Sequence, residues 1–174
     1  MKFVSVVAGV FALSAGLAAQ GTPTKGTSAK SAIAVSVGNL GCSTALGSDT
    51  FAVQAWSWGA SNPVDLSGGG GSAGRVSLSD LAIQKAFDAC SPALFGAVAT
   101  GKAFANLTLA ASNKDGTTTT LALSDVRVSS WQAGGSSASD AATESVTFTF
   151  SKVCLTDGSS AAKFCYDLKL AKTF

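Results

Sequence analysis

The chain has 174 residues, a length that fits one domain, and its 12 basic and 10 acidic side chains give a net charge of +2. Charged residues make up only 13% of it, and histidine is absent. The near-neutral balance excludes the basic patch a nucleic-acid binder needs, and the lack of histidine excludes Ser–His–Asp and Cys–His catalysis.

Met1-Lys2 is a minimal basic start. Residues 3–19, FVSVVAGVFALSAGLAA, follow without a charge and end in small side chains. This pattern predicts a secretory signal peptide over residues 1–19, cleaved after Ala18 or Ala19. The alternative is a membrane anchor. Against it, the run is near the lower length limit for a span, contains Ser5, Ser14 and two glycines, and precedes no basic stop-transfer cluster. No membrane contact is expected after cleavage. Cleavage also removes Lys2, leaving 11 basic against 10 acidic residues. A surface so poorly charged puts up little repulsion between copies. Residues 20–31, QGTPTKGTSAKS, read as a disordered leader, and the folded domain as residues 32–174. The mature chain of about 155 residues is long enough to bury roughly 68–70% of its unfolded surface.

From Ala32 the signal is mostly β. Residues 32–37 form a first candidate strand and residues 50–58 a second. In the second, alternation puts Phe51, Val53, Ala55 and Ser57 on one face and Ala52, Gln54, Trp56 and Trp58 on the other. A loop from Pro63 to Gly74 follows. Residues 75–87, RVSLSDLAIQKAF, read as a strand with a change of parity between Val76/Leu78 and Leu81/Ile83, which predicts a bulge near Ser79–Asp80. Ser91 is a candidate N-cap with Pro92 at the first helical position. Leu94, Phe95 and Val98 would form the buried helix face, and Gly101 the C-terminal cap.

Residues 103–112 and 117–131 flank Asn113-Lys114-Asp115-Gly116, a good hairpin turn. Residues 134–140 form a second flexible loop. Residues 143–155 and 163–173 close the chain around Asp157-Gly158. About seven strands and one short helix predict a mainly β domain, an antiparallel sheet rolled into a barrel or sandwich.

The four cysteines are Cys42, Cys90, Cys154 and Cys165. They lack zinc-site spacing, and behind a signal peptide they read as two disulfides, for which three pairings exist. Val146, Phe148 and Phe150 share one parity and Val153 and Leu155 the other, so a bulge near Ser151–Lys152 would hold all five on one face. Cys154 then points outward. With Phe164, Tyr166 and Leu168 inward, Cys165 points outward too, and the two meet across the hairpin. Cys42–Cys90 remains as the second pair.

Few residues suit catalysis. Glu144 is the only glutamate, and the nine aspartates sit mostly in predicted turns and strand ends, so a hydrolase using two of them is a weak third hypothesis. The run Gly69 to Val76 nearly matches a phosphate loop. It has Arg75 for the lysine and Val76 for the Ser/Thr, and a strand rather than a helix follows. Asn106-Leu107-Thr108 is a formal glycosylation sequon inside a predicted strand. Trp56, Trp58 and Trp131 could stack on a sugar, but packing in the core or a subunit interface is the plainer reading. No cofactor or metal is expected, and the chain reads as a non-enzyme.

Ala55-Trp56-Ser57-Trp58-Gly59, the polar loop after it, and Gly68-Gly69-Gly70-Gly71-Ser72-Ala73-Gly74-Arg75-Val76 form an ordered set with later segments. These are Val76 to Leu81, Cys90-Ser91-Pro92-Ala93-Leu94 through Gly101-Lys102, Asp125 to Ser130, and Thr143 to Phe150. The set resembles the haemolysin-coregulated protein (Hcp) family, the tube proteins of type VI secretion systems. The resemblance covers roughly residues 31–170. It implies an antiparallel β-barrel with a helix at its side, copies forming hexameric rings that stack into a hollow tube, and effectors and a contractile sheath as partners. Trp56, Trp58, Gly68, Gly69, Gly70, Gly71 and Gly74 would then lie at the subunit interface, where a loop without side chains permits close backbone approach. A signal peptide and disulfides depart from the family's pattern and point to export, to the periplasm or the medium. The runner-up reading is a secreted β-barrel binding module for a glycan or small ligand.

Overall fold

The computed structural model describes residues 32–65, 72–73, 75–137 and 141–174. The expected signal peptide with Ala18 and Ala19, the leader, and Gly68, Gly69, Gly70, Gly71 and Gly74 lie outside the described residues, as does the end of the 134–140 loop. The main strands are β1 (Ala32–Val37), β2 (Thr50–Val53), β3 (Ala55–Ser57), β4 (Leu81–Ala86), β5 (Ala103–Ser112), β6 (Thr118–Gly134), β7 (Thr143–Thr149), β8 (Lys152–Thr156) and β9 (Lys163–Asp167). Helix α1 (Ser91–Thr100) sits between β4 and β5.

All the pairings are antiparallel, and they run in a circuit: β2 to β1, β5, β6, β7, β4 and β3. β2 and β3 are halves of one strand that bends at Gln54, whose N–H donates to Gln84 O at 2.8 Å. The circuit therefore returns to its starting strand, as a barrel requires. The registers stack apolar side chains in rows. Phe51 opposes Val35, Val35 opposes Leu109, and Leu109 opposes Leu121; all four are fully buried. In a second row Leu81 opposes Phe148 and Phe148 opposes Val128. Fully burying a side chain of this size is worth about 1.5–3 kcal/mol.

The bend at Gln54 corrects one expected alternation. Phe51 and Val53 face inward, but past the bend Ala55 and Ser57 are exposed, while Trp56 and Trp58 are half-buried against the core. One strand serving two neighbours cannot keep one parity. The fault expected at Ser79–Asp80 is an interruption rather than a bulge. Ser77–Leu78 pairs with Ala60–Ser61 in a separate ribbon, and Gly59 N–H donates to Ser79 Oγ at 2.8 Å. Between β7 and β8 the ladder stops at Phe150–Ser151. Ser151 is buried, its hydroxyl donating to Asp125 Oδ2 at 2.6 Å. The expected bulge near Ser151–Lys152 is thus an interruption, and a separate register shift lies in the β6–β7 ladder between Val128 and Ser130.

Helix α1 also departs from expectation. Cys90, not Ser91, is the N-cap, without a side-chain cap, and the Ser91 hydroxyl is engaged elsewhere. The buried helical face is Ser91, Leu94 and Ala97; Phe95 is 53% exposed. Gly101 ends the helix in the left-handed conformation. Asp49 holds the loop after β1 by accepting from Gly41 N–H at 2.6 Å and Cys42 N–H at 3.1 Å.

Cys42 is bonded to Cys90, and Cys154 to Cys165. The first bridge joins the loop after β1 to the helix start. The second links residues directly opposite each other on β8 and β9. Cys154 and Cys165 alternate with Val153 and Leu155, which oppose the buried Leu123 and Leu121, so both lie on the face away from the core, where the bridge leaves Cys165 only 7% exposed. The bridges span 48 and 11 residues. Loop-closure entropy then assigns about 4 kcal/mol to the first and about 3 kcal/mol to the second. Serine replacement of Cys42 and Cys90 is therefore expected to lower the urea midpoint more than serine replacement of Cys154 and Cys165, as equilibrium denaturation in oxidising buffer will show.

Candidate self-association surface

Two features stand out from the barrel: a buried ionic cluster that fixes the helix, and an apolar groove open to solvent. The cluster begins with parity. Lys85 follows Leu81 and Ile83 on the inward side of β4, and Glu144 precedes Val146 and Phe148 on the inward side of β7. The register places Lys85 opposite Glu144. Both side chains are fully buried, with Lys85 Nζ 2.6 Å from Glu144 Oε1 and 2.8 Å from Asp88 Oδ1. Nζ also donates to Ala86 O at 2.9 Å. Ser91 Oγ donates to Glu144 Oε1 at 2.9 Å, and Trp131 Nε1 donates to Glu144 Oε2 at 2.9 Å. A buried charge is tolerable only when paired and hydrogen-bonded, and here both are. The cluster docks the first turn of α1 onto β4, β6 and β7. Both side chains of the pair are sealed from solvent.

The groove lies between the arm that follows β3 and the β8–β9 hairpin. Trp58, Val76 and Leu78 line the arm side; on the hairpin side Val153 opposes Tyr166 and Leu155 opposes Phe164. Its volume is about 290 Å³ and its lining is almost wholly apolar. Arg75 Nη2 donates to Leu168 O at 3.0 Å, tying the arm to the hairpin. Leu155 opposes the buried Leu121 and so keeps the expected core-side parity with Phe164, but at this end of the sheet the two are 39% and 63% exposed. Trp58 Nε1 is buried and has no hydrogen-bond partner among the described residues. An N–H left in this state costs about 1–3 kcal/mol. A second apolar surface, unlike the first, gathers Phe87 and Phe95 around Trp131, with ring centroids 6.5 and 5.1 Å from the indole.

A family model described as "Type VI secretion system effector, Hcp" matches residues 26–156. The chain belongs to the Hcp family of type VI secretion tube proteins. Solved structures agree in fold. One described as a type six secretion system protein superposes with a TM-score of 0.72 at 21% identity, over 83% of this chain and 100% of its own. Hcp1 from Salmonella typhimurium does so with a TM-score of 0.67 at 22% identity, over 83% and 99%. The sheath–tube complex of an extracellular contractile injection system, PVC, contains a chain similar at a TM-score of 0.52 and 16% identity, over 72% and 88%. No curated protein sequence matches.

In this Hcp-family barrel, the tryptophans Trp56 and Trp58 are the expected interface residues that lie among the described residues. Trp58 lines the groove, while Trp56 packs against the core and opposes Ile83 on β4. Trp131 is committed to Glu144, so its indole N–H is not free for a sugar. The aspartates act as turn anchors. Hydrogen bonds hold five carboxyls below the usual range: from Cys42 N–H for Asp49, the Thr117 hydroxyl for Asp115, the Ser151 hydroxyl for Asp125, the Ser159 hydroxyl for Asp157 and Leu170 N–H for Asp167. A general acid needs the opposite shift. Among the described residues, no three metal-ligating side chains gather.

The ionic cluster was missed in the sequence reading, although opposite charges at inward parity on two strands are a readable signal. Lys85→Met is expected to cost about 3–5 kcal/mol, because Glu144 stays buried without its cation. The double variant Lys85→Met/Glu144→Gln is expected to recover part of that loss in the same chemical denaturation series.

Proposed function

We propose that copies of this chain associate head to tail into a closed hexameric ring, and that rings stack into a hollow tube that carries effectors. The groove between the arm and the β8–β9 hairpin is the observation that carries this reading. A cyclic ring is built from heterologous contacts, in which two different patches of each subunit meet its two neighbours. This barrel offers two unlike apolar surfaces, the groove and the Phe87–Phe95–Trp131 patch, and family membership supplies the precedent for self-association. The Gly68–Gly71 segment and Gly74 follow directly from the arm and belong to the same proposed contact region, between neighbours or between stacked rings.

Export to the periplasm or the medium is part of the proposal. The signal-like residues 1–19 and the two disulfides support it, since such bridges persist in oxidising compartments. Effectors in the lumen and a contractile sheath are the implied partners. The groove does not favour a glycan-binding module: sugar recognition needs polar partners for hydroxyl groups, and this lining is nearly all carbon.

Leu155→Glu and Phe164→Glu put a charge on the groove wall at exposed positions, where the fold has little to lose. Each is expected to weaken association at least tenfold by light scattering after size exclusion, with an unchanged circular dichroism spectrum. A wild-type chain that stays monomeric at all concentrations would contradict the ring.

A further inference from the structure

We infer that the Cys154–Cys165 disulfide gates self-association, so that the groove is competent only in the oxidised chain. This rests on the groove being the self-association surface, with a second copy of this chain as its occupant.

The hairpin wall is intrinsically weak. β9 pairs with β8 on one side and on the other only with Lys172–Thr173, through two residue pairs. β8 is laddered onto β6, so the strand whose register is least supported is β9, and a slip of one residue against β8 would turn every side chain of β9 to the opposite face. Here the slip would carry Phe164 and Tyr166 out of the groove. Cys154 and Cys165 occupy the pair between Val153/Tyr166 and Leu155/Phe164. Their bond pins the register that presents both apolar pairs. On β9, Phe164 is 63% exposed, so its burial does little to hold that register. The turn adds a fixed anchor. Asp157 accepts from the hydroxyls of Ser159 and Ser160, and its pKa is lowered to about 2, so it stays ionised through neutral pH. The redox state of the bridge is therefore the variable that changes between compartments. Cys42–Cys90 does not serve this role, because it joins the loop after β1 to the helix start and Cys90 is fully buried.

The chemistry is thiol–disulfide exchange. The Cys154 and Cys165 thiols together lose two electrons and two protons to a disulfide of the oxidising compartment, which leaves as two thiols. Before export the same pair is reduced and the groove unset, which keeps copies apart in the compartment where they are made.

The test uses the full chain, oxidised with glutathione disulfide, beside Cys154→Ser/Cys165→Ser. Mass photometry reads association, and circular dichroism reads fold. The expected result is association at least tenfold weaker in the variant, with the fold kept. A folded variant that associates as tightly as the oxidised wild type overturns the gate and leaves the ring standing. An oxidised wild type that stays monomeric overturns the ring reading itself. If the variant does not fold, preassembled wild type is titrated with dithiothreitol, and alkylation mapping shows when Cys154 and Cys165 open. Dissociation in step with that opening supports the gate; intact assemblies with both thiols alkylated overturn it.

Discussion

The strand from Thr50 to Ser57 has to serve two neighbours, and the rest of the barrel depends on how it does so. Its first half pairs with β1 and its second with β4, and the bend at Gln54 is tied down by one backbone hydrogen bond to Gln84. This bend closes the circuit of strands without a free edge at that point, which removes a site for unwanted pairing. It also switches parity. Phe51 and Val53 belong to the barrel interior, whereas beyond the bend Trp56 turns toward the core and Trp58 reaches the groove. The same local event thus closes the core and brings the arm to the surface.

The second constraint is the fully buried Lys85–Glu144 pair. An apolar contact could hold α1 against the sheet with less risk, since buried ion pairs seldom add net stability over well-packed hydrophobic residues. What the cluster adds is geometry. Glu144 accepts from Lys85, Ser91 and Trp131, which lie on β4, α1 and β6. One carboxylate on β7 therefore fixes four elements relative to one another. The Cys42–Cys90 bridge reinforces the same corner from the N-cap position of the helix.

Much of the fold was legible in the sequence because two-residue alternation survives wherever a strand has one dry face. β1 has the bounds its apolar pattern gives, the Asn113–Gly116 turn joins β5 to β6, and parity alone pairs Cys154 with Cys165. Legibility failed where tertiary structure overrides the local pattern. The reversal at Gln54 has no marker in residues 50–58, since a glutamine fits either face. Ser91 looks like a cap, yet its hydroxyl is claimed by Glu144, 53 residues away in sequence. Helical periodicity puts Phe95 in the core and strand parity puts Leu155 and Phe164 on the core side, yet periodicity and parity fix a face, not its burial, and all three are exposed. On a subunit that meets others, apolar side chains at the surface carry information of a different kind. The glycine segment and the leader lie outside the described residues, so their roles rest on composition and family pattern.

Fold, family and surface chemistry then meet in one account. The barrel is a rigid Hcp-type unit, the arm and the C-terminal hairpin form an apolar groove on it, and the weak charge of the chain does not resist contact between copies. Imaging the assembled, oxidised particle by electron cryomicroscopy tests this most directly. The account requires a closed ring in which a neighbouring copy covers Trp58, Leu155 and Phe164. Rings whose subunits meet elsewhere and leave that groove open to solvent would contradict it.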